Sequence, residues 1–389
     1  MFSVEEAENA IAAFPFSVKG ETVTLPAAQG RFLAQDVFSP IDVPEFDRAA
    51  MDGYAYISGD DSPDFKVVET IPAGTAPMIV VTPGQCAKIM TGAMIPVGAD
   101  RVVRRECTIE KDGFMRIVKE DGNLNIRCKG EDLQAGKLVM ARGTPLHPAQ
   151  VAMLASLGLV EILVAQPVRV GIITTGSELA DPGAPLAPGQ VYNSNSYSLA
   201  AQIREIGAEP LTLGRVADDE EATVEAIASG VNACSVLILS GGVSAGDFDY
   251  VPSAMKKAGF TLHVEKIAVQ PGMPTVFGTL MDKAAFGLPG NPVSTFVIFE
   301  VFIKPLLLRL MGHAYRPQVQ PAVMTFTFSR SHSERTAFIP VTCRHGRVSL
   351  VPYHGSAHLH ALSQANALLR VPAGQDAIPA GSTVDVRFL

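Results

Sequence analysis

The chain has 389 residues and a formal net charge of −8 at pH 7. One hydrophobic core rarely serves that length, so about two to four domains are expected, and an acidic balance lacks the basic face that a nucleic-acid binder carries. Any anionic ligand must therefore be met by local groups. The cysteines (Cys86, Cys107, Cys128, Cys234, Cys343) are odd in number and never adopt a C-x-x-C spacing, which argues against both a disulfide framework and a structural zinc site.

In chain order, Met1 to Ala13 carries Ser3-x-x-Glu6, a capping box that opens a short helix and is unlike a signal peptide. Residues 3–40 offer this helix and a turn. Roughly 45–140, short strands broken by Gly and Pro follow, as in Phe65–Thr70, Gln85–Met90 and Asp100–Glu106, and a helix returns at Pro148–Leu157 with Pro148 early and Gly158 just past its end. The pattern is that of a β-rich insertion between two parts of a linker domain. From Pro167 the texture alternates: strand Val168–Thr174, helix Asn195–Ile206, strand Pro210–Val216, helix Glu220–Val231, strand Val236–Ser240. Such alternation predicts βαβ units and a parallel sheet of about 145 residues ending near Gly312. The most apolar segment, Val293 to Met311, contains Glu300, Lys304 and Pro305 and reads as a buried helix rather than a membrane span, so a soluble, cytoplasmic protein that engages no membrane is expected. After Pro317, strands at Val323–Ser329, Ala337–Cys343, Val348–Tyr353, Ala367–Val371 and Thr383–Phe388 suggest a small barrel or sandwich. The fold class is thus α/β plus β, with expected domains 1–45 together with 141–166, 46–140, 167–312 and 317–389.

Ligands of parallel sheets bind at the carboxyl ends of the strands. Three glycine- and serine-rich turns fall there: Thr174-Thr175-Gly176-Ser177-Glu178, Ser240-Gly241-Gly242-Val243-Ser244 and Gly287-Leu288-Pro289-Gly290-Asn291-Pro292-Val293-Ser294. Each offers unpaired backbone N–H donors, and together they form a candidate phosphate cradle. Carboxylates cluster beside such turns: Asp47, Asp52, Asp132, Glu178, Asp218, Asp247 and Asp249, of which those nearest a cradle are candidates to hold a divalent cation. Plainer readings are that Asp218 caps the helix starting near Glu220 and that Asp52-Gly53 is a β-turn. Thr91, in Thr91-Gly92-Ala93 after a strand, is a candidate ligand contact or simply a turn residue. His354, His358 and His360 lie close together, but with no carboxylate or cysteine at ligand spacing they read as a surface loop sooner than a metal site.

On these residues the chain resembles the molybdopterin molybdenumtransferase family, the enzymes that complete the molybdenum cofactor. The matching segments run in family order: Phe46–Ala55, Met90–Pro96, Asn125–Asp132, Thr175–Glu178, Gln190–Asn195, Leu239–Tyr250, Pro271–Pro274 and Leu288–Ser294. The resemblance implies an elongated homodimer with its cleft between subunits, and a Mg²⁺-dependent reaction of adenylylated molybdopterin with molybdate that yields molybdenum cofactor and AMP. It further implies an upstream adenylyltransferase and molybdoenzyme clients.

Carried onto this chain, the resemblance gives Asp52, Asp132, Asp218, Asp249 and Glu178 as catalytic, with Asp218 and Asp249 also holding the metal. Contacts to the pterin nucleotide would come from Thr91, Thr175, Gly176, Ser177, Asn193, Ser194, Gly241, Gly242, Ser244, Pro271, Gly272, Gly290, Asn291 and Ser294. Asp52, Asp132 and Thr91 would approach from the β-domain side of the cleft. The chain departs from the family pattern where the oxyanion would be held. Gln270 and Met273 stand where two lysines are usual, Pro340 where an arginine is usual, and Ala361 where a serine is expected. Arg104, Arg105 and Arg335 are candidate replacements. Alternatives are a divergent paralogue handling a related pterin nucleotide or tungstate, and a non-catalytic carrier of finished cofactor.

Overall fold

The computed structural model describes every residue except Ala245, Asp247, Phe248 and His354, so the sequence readings of Asp247 and His354 lie outside the described residues. The first helix, Val4–Ala12, forms as its capping box predicts: the Ser3 hydroxyl accepts from Glu6 N, and Glu6 accepts from Ser3 N. Its apolar face, Val4, Ala7 and Ile11, packs into the core of the central α/β sheet. Next, strand Gly20–Thr24 pairs antiparallel with Glu161–Ala165, two strands not expected from sequence. Beside them helix Pro148–Ser156 buries Leu154 against Leu33, Leu146, Ile162 and Val164.

Between these partners the chain builds a six-stranded sheet in the order Arg101–Arg104, Gly53–Tyr56, Gln85–Ile89, Phe65–Ile71, Phe114–Ile117, Thr108–Lys111. One end of that sheet gathers segments distant in sequence. Arg48–Ala49 pairs with Ile126–Arg127, Gly92 N donates to Ala49 O, and Lys129 N donates to Asp47 Oδ1.

The α/β sheet has the strand order Glu209–Val216, Arg169–Thr175, Val236–Ser240, Lys283–Leu288, Val276–Leu280, Thr261–Val264. The first four strands are parallel, as the βαβ alternation predicts. The last two each pair antiparallel with their neighbour; Val276–Leu280 does so because Met281-Asp282 joins it to Lys283–Leu288 by a tight turn that leaves no length for a crossover helix. Val236–Ser240 is buried along its whole length, and Phe277 and Phe286 pack ring on ring at 4.9 Å, both essentially inaccessible. Burial of each such side chain contributes roughly 1.5–3 kcal/mol. The apolar segment after Asn291 is one continuous buried helical run, Pro292–Ile298, a π-helical turn Phe299–Ile303, and Lys304–Leu310. Within it Glu300 is paired with Lys304 and receives Gln202. Among the described residues no helix is long and apolar enough to cross a membrane.

The C-terminal strands close into a barrel rather than a sandwich: Thr336–Arg344, Arg347–Leu350, Val319–Met324, Thr383–Phe388 and Ala367–Val371, with the last pairing back to the first. The expected strand Val323–Ser329 is broken in two: Val319–Met324 stays in the barrel, whereas Phe328–Ser329 leaves it to pair with Ala377–Ile378. A sixth strand comes from the α/β region: Val269–Gln270 joins Thr336–Arg344 in parallel, Gln270 opposite Ala337. This pairing carries the following segment, Pro271–Pro274, into the groove between α/β sheet and barrel.

Candidate active site

The groove is a cleft of about 1160 Å³, and a smaller cavity of about 370 Å³ adjoins it, sharing Glu178, Asn195, Gly242, Asp249 and Gly290. All three glycine- and serine-rich turns reach these two spaces. In the smaller one, Thr175 and Gly176 follow the strand Arg169–Thr175, Gly241 and Gly242 follow Val236–Ser240, and Gly290 follows Lys283–Leu288. Adjacent parallel strands ending at one level bring the turns together around a common space. Contrary to the sequence expectation, not every backbone donor there is free: Gly176 N donates to Val216 O and Ser177 N to Asp218.

Hydrogen bonds knit the turns. Gly241 N donates to Leu288 O at 2.9 Å, and Asn195 Nδ2 donates both to Ser240 Oγ at 2.8 Å and to Gly290 O at 2.7 Å. Asn195 lies in a motif segment but was not singled out from sequence, since its cross-links depend on the sheet. At Gly241 the backbone has φ +104°, and a Cβ there would lie 2.5 Å from Thr175 Oγ1 and 2.6 Å from Thr175 O. Only glycine fits, which holds the second turn tightly against the first. Thr175 Oγ1 is buried without a hydrogen-bond partner among the described residues, in a residue that lines the smaller cavity. A buried unpaired hydroxyl is costly, and a bound acceptor or donor would satisfy it.

Asp218, Asp249 and Glu178 all line the smaller cavity. Asp218 does not cap the following helix: Asp219 is the N-cap, accepting from Ala222 N at 2.8 Å. The neighbouring carboxylate, Asp218, points back to the first turn and accepts from Ser177 N at 3.0 Å. Ser177 itself lines neither space. Asp249 closes its own turn, accepting from Gly246 N at 2.7 Å. No cluster of three or more metal-ligating side chains is present among the described residues. Two carboxylates beside a candidate phosphate cradle nonetheless match the donor set of Mg²⁺, which takes one or two carboxylates and completes its shell with water and substrate phosphate oxygens.

The larger cleft is lined by Asn193, Ser194, Ser244, Pro271, Gly272, Asn291 and Ser294 among the sequence candidates. Asn193 also works structurally, capping helix Ser194–Glu205 through Ser196 N and donating to Thr174 Oγ1. Asn291 Nδ2 reaches Ser356 Oγ at 2.9 Å, tying the third turn to the barrel side. Tyr353 on that side is pushed up to about 12 by burial, so its phenol stays neutral at physiological pH.

Asp52, Thr91 and Asp132 line neither space. Asp52 and Thr91 do meet: Asp52 Oδ1 accepts from both Thr91 Oγ1 and Thr91 N at 2.7 Å. The Thr91 side-chain and backbone bonds, with the Arg105 charge behind them, hold the Asp52 carboxyl below its ordinary value. Asp132 is exposed, anchored through its backbone N–H to Val43 O at 3.0 Å. Of the departures from the resemblance, Gln270 and Met273 line the cleft, whereas Pro340 is buried in a barrel strand and Ala361 in a helix, and neither reaches it. The histidines do not form the strand that would place His358 and His360 on one face; His358 precedes helix Leu359–Gln364, and His360 lies within it.

Comparison with known proteins agrees across the whole length. Residues 2–158 match the MoeA N-terminal region (domain I and II), residues 171–309 a probable molybdopterin binding domain, and residues 309–389 the MoeA C-terminal region (domain IV). Molybdopterin molybdenumtransferase 2 of Mycobacterium tuberculosis is 38% identical over 99% of both chains, and the molybdopterin molybdenumtransferase of Bacillus subtilis is 35% identical over 99% of this chain and 94% of its own. A crystal structure of a molybdopterin biosynthesis protein from Pyrococcus horikoshii superimposes over 100% of this chain and 99% of its own, with a TM-score of 0.86 at 32% identity. With its turns, cleft and barrel in that arrangement from end to end, the chain belongs to the molybdopterin molybdenumtransferase family of enzymes.

Proposed function

We propose that this protein acts in molybdenum cofactor biosynthesis by inserting molybdenum into adenylylated molybdopterin, consuming molybdate and releasing AMP with Mg²⁺. The observation that carries the reading is the smaller cavity. Its lining brings together the three turns, the Thr175 hydroxyl, buried with no partner among the described residues, and the carboxylates of Asp218, Asp249 and Glu178. Cleaving a phosphoanhydride requires donors aimed at the leaving phosphate and neutralisation of its charge. Here the Gly242 and Gly290 N–H groups would donate to the phosphates, with Gly176 N and Gly241 N held by Val216 O and Leu288 O to shape the cradle, and the Thr175 hydroxyl would orient one phosphate. Asp218 and Asp249 would hold Mg²⁺, whose contribution is charge neutralisation on the phosphates. The larger cleft, lined by Asn193, Ser194, Ser244, Pro271, Gly272, Asn291 and Ser294, has the room for a pterin and neutral groups to hydrogen-bond it. Tyr353, neutral across the working pH range, would serve there as a hydrogen-bonding group.

The protein would work as a homodimer of four-part subunits, in the cytoplasm, receiving its substrate from an adenylyltransferase and passing cofactor to molybdoenzyme clients. Asp52 and Asp132 line neither cavity of their own chain, which supports their acting, with Thr91, on the cleft of a second copy. The test is turnover of adenylylated molybdopterin with molybdate and Mg²⁺: Asp218→Ala and Asp249→Ala should each abolish AMP release, and full activity in both variants would overturn the assignment.

A further inference from the structure

Two cations line the larger cleft among the described residues, Arg330 and Arg335, and they are used in opposite ways. The Arg330 guanidinium is engaged by the barrel: Nε donates to Gln375 O at 2.9 Å, Nη1 to Arg335 O at 2.8 Å and Nη2 to Pro372 O at 2.6 Å. It is a clamp that fixes the 330–335 turn. The half-buried Arg335 has its carbonyl held by that clamp, yet its own guanidinium makes no hydrogen bond or ion pair with any described residue. Arg104, by contrast, is tied to Asp121 at 2.9 Å, and neither it nor Arg105 reaches the cleft.

Position adds to this. Thr336, directly after Arg335, pairs with Val269, and Ala337 pairs with Gln270, so the same two-strand contact presents Arg335 and the Gln270 amide on one wall. Carboxylates gather at the α/β end: Asp218 lines the smaller cavity, and Asp249 and Glu178 line it where it meets the larger cleft, so that end repels a bare anion. The wall with Arg335 holds a guanidinium and a neutral amide. A guanidinium offers parallel N–H donors that match two oxygens of a tetrahedral oxyanion, which an ammonium cannot do with the same geometry.

We propose that Arg335 is the specificity residue for the anionic co-substrate, taking a tetrahedral oxyanion of the molybdate class on its guanidinium fork with Gln270 as a neutral second donor. The proposal deepens the functional reading above and rests on it for the identity of the reaction. With one cation in place of several, the grip depends on fork geometry more than on summed charge, so Lys at 335 is a poor substitute.

The experiment titrates molybdate, tungstate and inorganic phosphate into the full-length protein by calorimetry, for wild type, Arg335→Ala, Arg335→Lys and Gln270→Lys, with thermal melting as a fold control. KM for molybdate and for adenylylated molybdopterin are measured alongside. Arg335→Ala should weaken molybdate binding and raise its KM roughly 10- to 100-fold, with KM for the pterin nucleotide unchanged. Arg335→Lys should recover only part of the loss, and Gln270→Lys should tighten binding. Unchanged molybdate binding in a normally melting Arg335→Ala, or no oxyanion binding by wild type, overturns the assignment. If oxyanion binding depends on Arg335 but wild type neither binds nor turns over adenylylated molybdopterin, the anion site stands and the reaction proposed above falls.

Discussion

Replacing Gly241 with alanine tests the cradle where its geometry is tightest. The residue sits at φ +104°, and the added methyl would lie 2.5 Å from Thr175 Oγ1 and 2.6 Å from Thr175 O. The hydroxyl can rotate away, but the carbonyl belongs to the strand Arg169–Thr175 at the centre of the sheet and cannot. A non-glycine residue at positive φ costs roughly 1–2 kcal/mol, and forcing a methyl into packed backbone roughly 1–3 more, for about 2–5 kcal/mol together. Gly242→Ala is the internal comparison. Its φ is +66°, and its Cβ would stand 3.1 Å from Thr175 Oγ1 and 3.2 Å from Val251 Cγ2, so its cost should be about 1–2 kcal/mol, mostly from the backbone. Because a chain with several cores need not unfold in one step, the assay is hydrogen exchange of the Val236–Ser240 amides in increasing urea. A loss below about 0.5 kcal/mol for Gly241→Ala, or one no larger than for Gly242→Ala, would refute the reasoning.

Thr175→Val removes the buried unpartnered hydroxyl while keeping the shape of the side chain. Urea denaturation should show unchanged or slightly higher stability, by up to about 1 kcal/mol, while calorimetry shows weaker binding of the pterin nucleotide. Asp219→Ala should cost about 1 kcal/mol by loss of the helix cap, measured by denaturation, with AMP release retained, whereas its neighbour Asp218→Ala does the reverse. Thr91→Ala should raise the Asp52 pKa towards its ordinary value, read by carboxyl carbon NMR. The Asp52–Thr91 contact is stabilising while Asp52 is ionised and is lost as pH falls through its depressed folded pKa. In Thr91→Ala the side-chain contact is absent at every pH, so exchange of the Gly92 amide should be faster at neutral pH and depend less on acid than in wild type.

What the sequence made legible was local. The Ser3–Glu6 capping box forms as read because both partners lie within one turn, and strands such as Val236–Ser240 were plain from an apolar run bounded by turn residues. Adjacent Asp218 and Asp219 defeated the cap assignment: both are competent caps, and only the register of the helix decides between them. The parallel core was readable from alternation, but the antiparallel addition Val276–Leu280 was not, since a short hairpin carries little periodicity. Nor was the attachment of Val269–Gln270 to the barrel visible, because it pairs residues more than sixty positions apart by backbone bonds alone. That pairing is what puts Gln270 and Arg335 on one wall. Pro340 and Ala361 illustrate the same limit from the other side: motif alignment marks them as site positions, while packing buries both away from the cleft.

The central claim is that the turn-and-carboxylate cavity cleaves the phosphoanhydride of a pterin nucleotide. The most direct measurement is single-turnover AMP release from adenylylated molybdopterin by the wild-type protein, with and without Mg²⁺ and molybdate, and with active cofactor assayed in the same samples. The account predicts AMP and cofactor together, only when Mg²⁺ and molybdate are both present. Tight binding of the pterin nucleotide with no AMP released under any condition would contradict it.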